Sequence, residues 1–164
     1  MLRYGIRPIE PGEIPLLRDF LYEAIFQRDE HHPLPRSILD EPELRVFIED
    51  YGRKDDHCLV AVVDGRVVGA VWARILSGPI KGYGHVDDQT PELAISLYRE
   101  YRGQGIGTEL LLKMLELLKA KGYARASLSV QKDNDALRLY ERVGFTIVDE
   151  NEQEYVMVHK LGDG

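Results

Sequence analysis

The residues best suited by type and spacing to do chemistry are Arg102-Gly103-Gln104-Gly105-Ile106-Gly107-Thr108, a glycine-rich run between a β-rich stretch and a leucine-rich one. The first turn of a helix leaves several backbone N–H groups without intrahelical acceptors, and the helix dipole favours an anion there by about 0.3 to 1 kcal/mol. Glycines let a ligand approach the main chain without interference from Cβ atoms, so the run suits a pyrophosphate, with Arg102 as a positive group at its rim. A tight turn that only lets a helix and a strand pack would account for the same glycines. Spacing excludes two familiar nucleotide readings. Gly107 is followed by Thr108 with no lysine, and Thr108 stands where a dinucleotide fingerprint needs its third glycine.

The elements that must position this run follow from periodicity. Leu2 to Ile9 reads as a short strand ending in a turn, and Ile14, Leu17, Phe20, Leu21, Ala24 and Ile25 share one face of a first helix. Leu44, Phe47, Ile48 and Tyr51 predict a second helix that stops near Gly52. Two β-rich runs, His57 to Val63 and Arg66 to Ile75, flank Asp64-Gly65, a pair suited to a tight antiparallel hairpin. Ser77 to Thr90 is a loop long enough to be functional, and a fourth strand, roughly Glu92 to Tyr98, runs into the glycine turn. A long, mostly apolar helix then extends to Lys121-Gly122. A fifth strand (Ala124 to Val130), a fourth helix (Asp135 to Val143) closed by Gly144, and two final strands (Phe145 to Asp149, Glu154 to Leu161) complete the chain. The strand–helix–strand crossover from Glu92 to Val130 makes strands four and five parallel neighbours, so the expected α/β fold has a mixed sheet.

Composition limits the class of partner. The chain has 164 residues, 44% hydrophobic and 30% charged, which predicts one folded domain over residues 1–164 and not a disordered chain. A net charge of -7 is the wrong sign for gripping nucleic acid. No apolar run approaches the roughly 20 residues that span a bilayer, so no membrane association is expected. The single cysteine, Cys58, lies in an apolar run and reads as a small core residue of a cytoplasmic protein. His31, His32, His57, His85 and His159 are scattered without metal-ligand spacing, so no metal is expected.

Arg-x-x-Gly-x-Gly at a strand-to-helix turn, followed by Asn134-Asp135-Ala136-Leu137-Arg138-Leu139-Tyr140-Glu141-Arg142-Val143-Gly144-Phe145, resembles the Gcn5-related N-acetyltransferase (GNAT) family. The order of elements matches along essentially the whole chain. The resemblance implies a mostly antiparallel sheet of about seven strands with about four helices. It also implies acetyl-coenzyme A in a cleft between strands four and five. Its pyrophosphate would lie on the backbone from Gln104 to Thr108, with Arg102, Gly103, Gly105, Ile106 and Gly107 in the turn. Its pantetheine arm would pair with Ile95, Ser96 and Leu97, a backbone N–H near Leu97 would polarise the thioester carbonyl, and Asn134 would contact the cofactor. Arg99 stands where relatives often carry proline.

Acetyl transfer to an amine needs a neutral nucleophile, and an amine with a pKa of about 10.4 is only about 0.04% neutral at pH 7. A general base, worth typically about 10² to 10⁴ in rate, is therefore sought among Glu92, Asp87, Asp88 and His85. The resemblance favours Glu92, and it implies that Tyr140 protonates the departing thiolate. Glu92 as a solvated strand-end carboxylate and Tyr140 as a packing residue are the plainer alternatives. Asp87 and Asp88 would otherwise attract a cationic substrate, with Tyr83, Phe26, Tyr22 and Trp72 as further candidates for the acceptor pocket. The expected reaction is direct transfer from acetyl-coenzyme A to a primary amine of a small molecule. A peptide or protein acceptor, or a non-catalytic acyl-coenzyme A-binding module, is the alternative. Family precedent also makes a homodimer plausible.

Overall fold

The computed structural model describes residues 3–25 and 33–162. Among the described residues seven strands form one sheet, in the order β1-β2-β3-β4-β5-β7-β6. They are β1 (Gly5–Pro8), β2 (His57–Val63), β3 (Arg66–Arg74), β4 (Glu92–Leu97), β5 (Arg125–Gln131), β6 (Thr146–Glu150) and β7 (Glu154–Lys160). All adjacent pairs are antiparallel except β4 and β5. The helices are α1 (Leu17–Ala24), α2 (Pro42–Arg45), α3 (Ile106–Ala120) and α4 (Ala136–Val143). Among the described residues no helix is long and apolar enough to cross a membrane.

The β2–β3 hairpin turns at Asp64 and Gly65, both at positive φ (49° and 80°), which matches the right-handed twist of its strands. Because side chains alternate across a strand, β2 and β3 feed two cores. Leu59, Ala61, Val71 and Ala73 pack on the face covered by α3 and α4, whereas Cys58, Val60, Ala70 and Trp72 pack on the face covered by α1 and its neighbours. The apolar stripe Ile106, Leu110, Leu111, Met114 and Leu118 buries α3 against the first face. Cys58 is buried and its thiol pushed up to about 12 by burial, so it stays protonated at neutral pH.

Two helical expectations change. The first helix is a 3-10 helix over Pro11–Leu16 that becomes α-helical only from Leu17 to Ala24; Pro15, which lacks an N–H, lies in the 3-10 part. The second does not run from Leu44 to Tyr51. A 3-10 helix covers Arg36–Asp40, α2 covers Pro42–Arg45, and turns follow. Carbonyls that a longer helix would use are taken by the sheet. Arg74 donates to the Val46 and Glu49 carbonyls at 3.0 and 2.6 Å, and Trp72 Nε1 donates to the Phe47 carbonyl at 3.0 Å. The Arg74 guanidinium also forms a buried pair with Asp56 at 2.9 and 3.0 Å. Trp72 is thus a core residue and not part of a pocket wall.

Candidate active site

The parallel pair touches only at its start. Glu92 is in register with Ser127, and the Ser127 N–H donates to the Pro91 carbonyl at 3.0 Å; no further β4–β5 register pair follows. The opposite edge of β4 is fully paired with β3, and the Tyr98 N–H donates to the Val68 carbonyl. By strand alternation, the backbone groups of Leu93, Ile95 and Leu97 point away from β3 and into the opening. The Leu97 carbonyl accepts from Arg102 Nε at 3.1 Å, which leaves its N–H on that edge.

A cavity of about 170 Å³ occupies the opening. Its walls come from Leu93 to Ile95 of β4, Leu128 to Gln131 of β5, the C-terminal end of α1, and the segment holding Leu44 and Phe47. Tyr140 and Asn134 reach it from the α4 side, and Tyr83 and Glu154 also line it. Since Leu128, Val130 and Tyr140 belong to one core, and Leu44 and Phe47 to the other, the cavity crosses the sheet.

Gly105 is the residue before α3, at φ 85°, and no side chain caps the helix. Gly103 is also left-handed at φ 76°. A Cβ on Gly107 would meet nothing closer than Leu97 Cδ1 at 3.7 Å, so packing alone does not demand a glycine there. The amides opening α3 are therefore uncapped by any side chain and open to approach. Arg102 does more than sit at its rim. Besides Leu97, its guanidinium binds the Glu23 carbonyl and carboxylate, each at 3.3 Å, and so fastens the turn to β4 and α1. Gln104 is exposed, with its amide 3.5 Å from the Glu100 carbonyl. The Ile106 side chain is buried in the core, Thr108 lies in the first turn of α3, and the Ser96 hydroxyl donates to the Phe20 carbonyl at 2.6 Å. For Ile106 the main chain is the part left for a ligand, whereas Ser96, expected to meet the cofactor, offers neither part: its hydroxyl bonds Phe20 and its backbone groups face β3.

Asn134 Oδ1 accepts from the Ala136 N–H at 2.9 Å and secures the start of α4. Tyr140 is 9% exposed, edge-on to Phe145, and burial pushes its phenol up to about 12. It therefore keeps its proton throughout the neutral range.

Glu92 is 3% exposed and not solvated. Its Oε2 accepts from the Gly84 N–H at 2.9 Å, and its buried Oε1 has no partner. Burial, together with the charge of Glu154, raises its pKa to about 7 against the opposing Gly84 hydrogen bond. The cavity wall on β4 is formed by Leu93, Ala94 and Ile95, with Glu92 at the preceding position. Ser127 Oγ, on the neighbouring strand, is also buried without a partner.

The other acidic candidates are committed to the loop. Asp87 accepts from the Gln89 N–H and pairs with Arg125, interactions that hold its carboxyl below the usual range. Asp88 lies 3.3 Å from Lys81 Nζ and 3.4 Å from His85 Nε2. Tyr22 bonds the Leu34 carbonyl under the Arg36 guanidinium, and is absent from the cavity lining. Phe26, His31 and His32 lie outside the described residues.

Glu154 has no counterpart among the sequence candidates. It starts β7 in register with Gln131, whose Nε2 donates to Glu154 Oε1 at 3.3 Å. Its place beside the cavity depends on β7 being inserted between β5 and β6, which no local sequence pattern reveals.

A parallel pair that parts beyond its start, beside an uncapped, glycine-led helix, is the arrangement that the resemblance implies, and comparison with known proteins agrees. The family described as Acetyltransferase (GNAT) family matches residues 21–145. An acetyltransferase of Pectobacterium atrosepticum is 32% identical over 143 residues, covering 84% of this chain and 89% of that protein. A probable N-acetyltransferase, camello, of Xenopus laevis is 35% identical over 97 residues, 58% of this chain but only 41% of its own length. The crystal structure of the PaiA N-acetyltransferase of Thermoplasma acidophilum, in complex with coenzyme A, superposes with a TM-score of 0.70 at 21% identity, covering 97% of this chain and 99% of that one. The chain belongs to the GNAT acetyltransferase family. By family it is an acyltransferase with acetyl-coenzyme A as co-substrate.

Proposed function

We propose that the chain moves the acetyl group of acetyl-coenzyme A to a primary amine of a small-molecule acceptor, by direct attack in a ternary complex. The observation that carries this reading is the cavity at the β4–β5 opening, which brings the free edge of β4, Tyr140 and Glu154, a carboxylate without a cationic partner among the described residues, to one place. The residues present fit the co-substrate. Unobstructed amides from Gln104 to Thr108 suit its diphosphate, and the unpaired edge at Ile95 to Leu97 suits the amide-bearing pantetheine arm. Arg102 orients that turn, and the Asn134 amide nitrogen is available to the same ligand.

When bound, acetyl-coenzyme A supplies a thioester carbonyl carbon for the amine to attack. The Leu97 N–H is the donor placed to hold the carbonyl oxygen. Glu92, half-titrated near neutrality, takes a proton from the amine through intervening solvent, since it stands one residue behind the lining segment. Tyr140 keeps a proton for the sulfur as the C–S bond breaks. The compact volume, about 170 Å³ bounded by Tyr83 and Phe47, favours a small acceptor over an extended chain.

A thiol-release assay with acetyl-coenzyme A across primary amines and short peptides tests the reading. Turnover with free amines supports it, turnover with peptides alone replaces the acceptor class, and no turnover beside measurable acetyl-coenzyme A binding refutes the catalytic assignment.

A further inference from the structure

The carboxylates near the site differ in what they are bound to. Asp87 is held by Arg125, Asp88 by Lys81, Glu23 by Arg102 and Glu150 by Lys132. Glu154 has no cationic partner among the described residues, only the neutral Gln131 amide, and it lines the cavity. Strand register places it on the same face of the sheet as Gln131, Ser127 and Glu92. Tyr83, which lines the same cavity, lies in the field of Glu43 in the first turn of α2, of Glu154, and of Glu41 at the helix cap. A half-buried carboxylate at a cavity wall, held only by a neutral amide, is a favourable partner for an incoming cation.

We propose that Glu154 is the acceptor-binding carboxylate, pairing with the substrate's ammonium group while Glu92, further back on the same face, takes the proton. This rests on the amine-acetylation reading above and divides recognition from proton removal between two glutamates. The acceptor nitrogen gives up two protons as its bond to the acetyl carbon forms and the C–S bond breaks. One passes by way of Glu92 to solvent, and the other replaces the proton that Tyr140 gives to the sulfur. The class of acceptor is then a cationic primary amine, recognised by its charge.

Substitution E154Q removes the charge but keeps the size and an oxygen for the Gln131 bond. The expected result is at least a tenfold rise in amine KM with kcat changed only a few fold. Calorimetry should show unchanged acetyl-coenzyme A affinity and an equally weakened association of butylamine with the coenzyme A-saturated protein. E154D should restore part of the binding, and E150Q, an equal charge change outside the cavity, should do nothing. Against Glu92 stand the Gly84 amide and the Gly82 backbone, with Ser127 in register and Glu154 within electrostatic range, while Arg74, its register neighbour, is committed to Asp56. E154Q should therefore also shift the acidic limb of kcat/KM to lower pH. Equal amine KM and butylamine affinity in E154Q and wild type would overturn the proposal while leaving acetyl transfer standing. Glu154-dependent butylamine binding without turnover by any acceptor would support it and refute the catalytic reading.

Discussion

The Gly84 N–H donates to one oxygen of Glu92 at 2.9 Å while the other oxygen is buried without a partner. This asymmetry underlies the proposed role of Glu92 as the base. One bond anchors the carboxylate beneath the Ser77–Thr90 loop, and the unsatisfied oxygen together with burial leaves it easily protonated near neutrality.

Glu92 must be ionised to accept a proton, so kcat/KM is expected to fall tenfold per pH unit below about 7. E92Q should lower kcat by about 10² to 10⁴ and abolish that limb. Stability should respond in the opposite sense. A carboxyl raised from 4.5 to about 7 on folding binds more protons when native, so stability falls between those pH values as pH rises. Thermal melts at pH 5 and pH 8 should show this loss, of order 3 kcal/mol, in wild type and not in E92Q.

Tyr140→Phe should retain acetyl-coenzyme A affinity within a few fold and lower turnover by about 10². Steady-state kinetics beside calorimetry separates the effects. Unchanged turnover would remove the proton-donor role and leave Tyr140 as a packing partner of Phe145.

Gly107→Ala is the cleanest probe of the anion site. The added Cβ meets only an ordinary contact at 3.7 Å, and alanine exceeds glycine in helix propensity by about 1 kcal/mol, so the melting temperature should hold or rise. Acetyl-coenzyme A binding should nevertheless weaken by about tenfold, because on the proposed reading the methyl would stand where the diphosphate meets the main chain. Retained affinity in a folded G107A protein would show that the ligand does not approach this amide.

Gly84→Ala should destabilise by about 1 to 3 kcal/mol, because its Cβ would lie 2.6 Å from the Leu128 carbonyl carbon, which is backbone and cannot swing aside. The displaced loop would also lose its bond to Glu92, so activity should fall more than stability alone explains. Chemical denaturation and activity of the folded fraction give the two quantities.

The amino-acid sequence by itself determined most of the element order, the hairpin at Asp64-Gly65 and the uncapped glycine turn before α3, because each depends on neighbours within a few residues. It marked Glu92 and Tyr140 through the resemblance, but not their surroundings. Only tertiary structure decided that α2 stops at Arg45, because Arg74 and Trp72 reach across from β3 to claim the following carbonyls. It alone decided that Arg125 ties up Asp87, that Arg102 binds Glu23, and that Glu154 comes to the cavity through the β5–β7 register. Periodicity reports which face a residue occupies; which distant charge it meets is set by strand order and register, and these exist only once the chain has closed on itself.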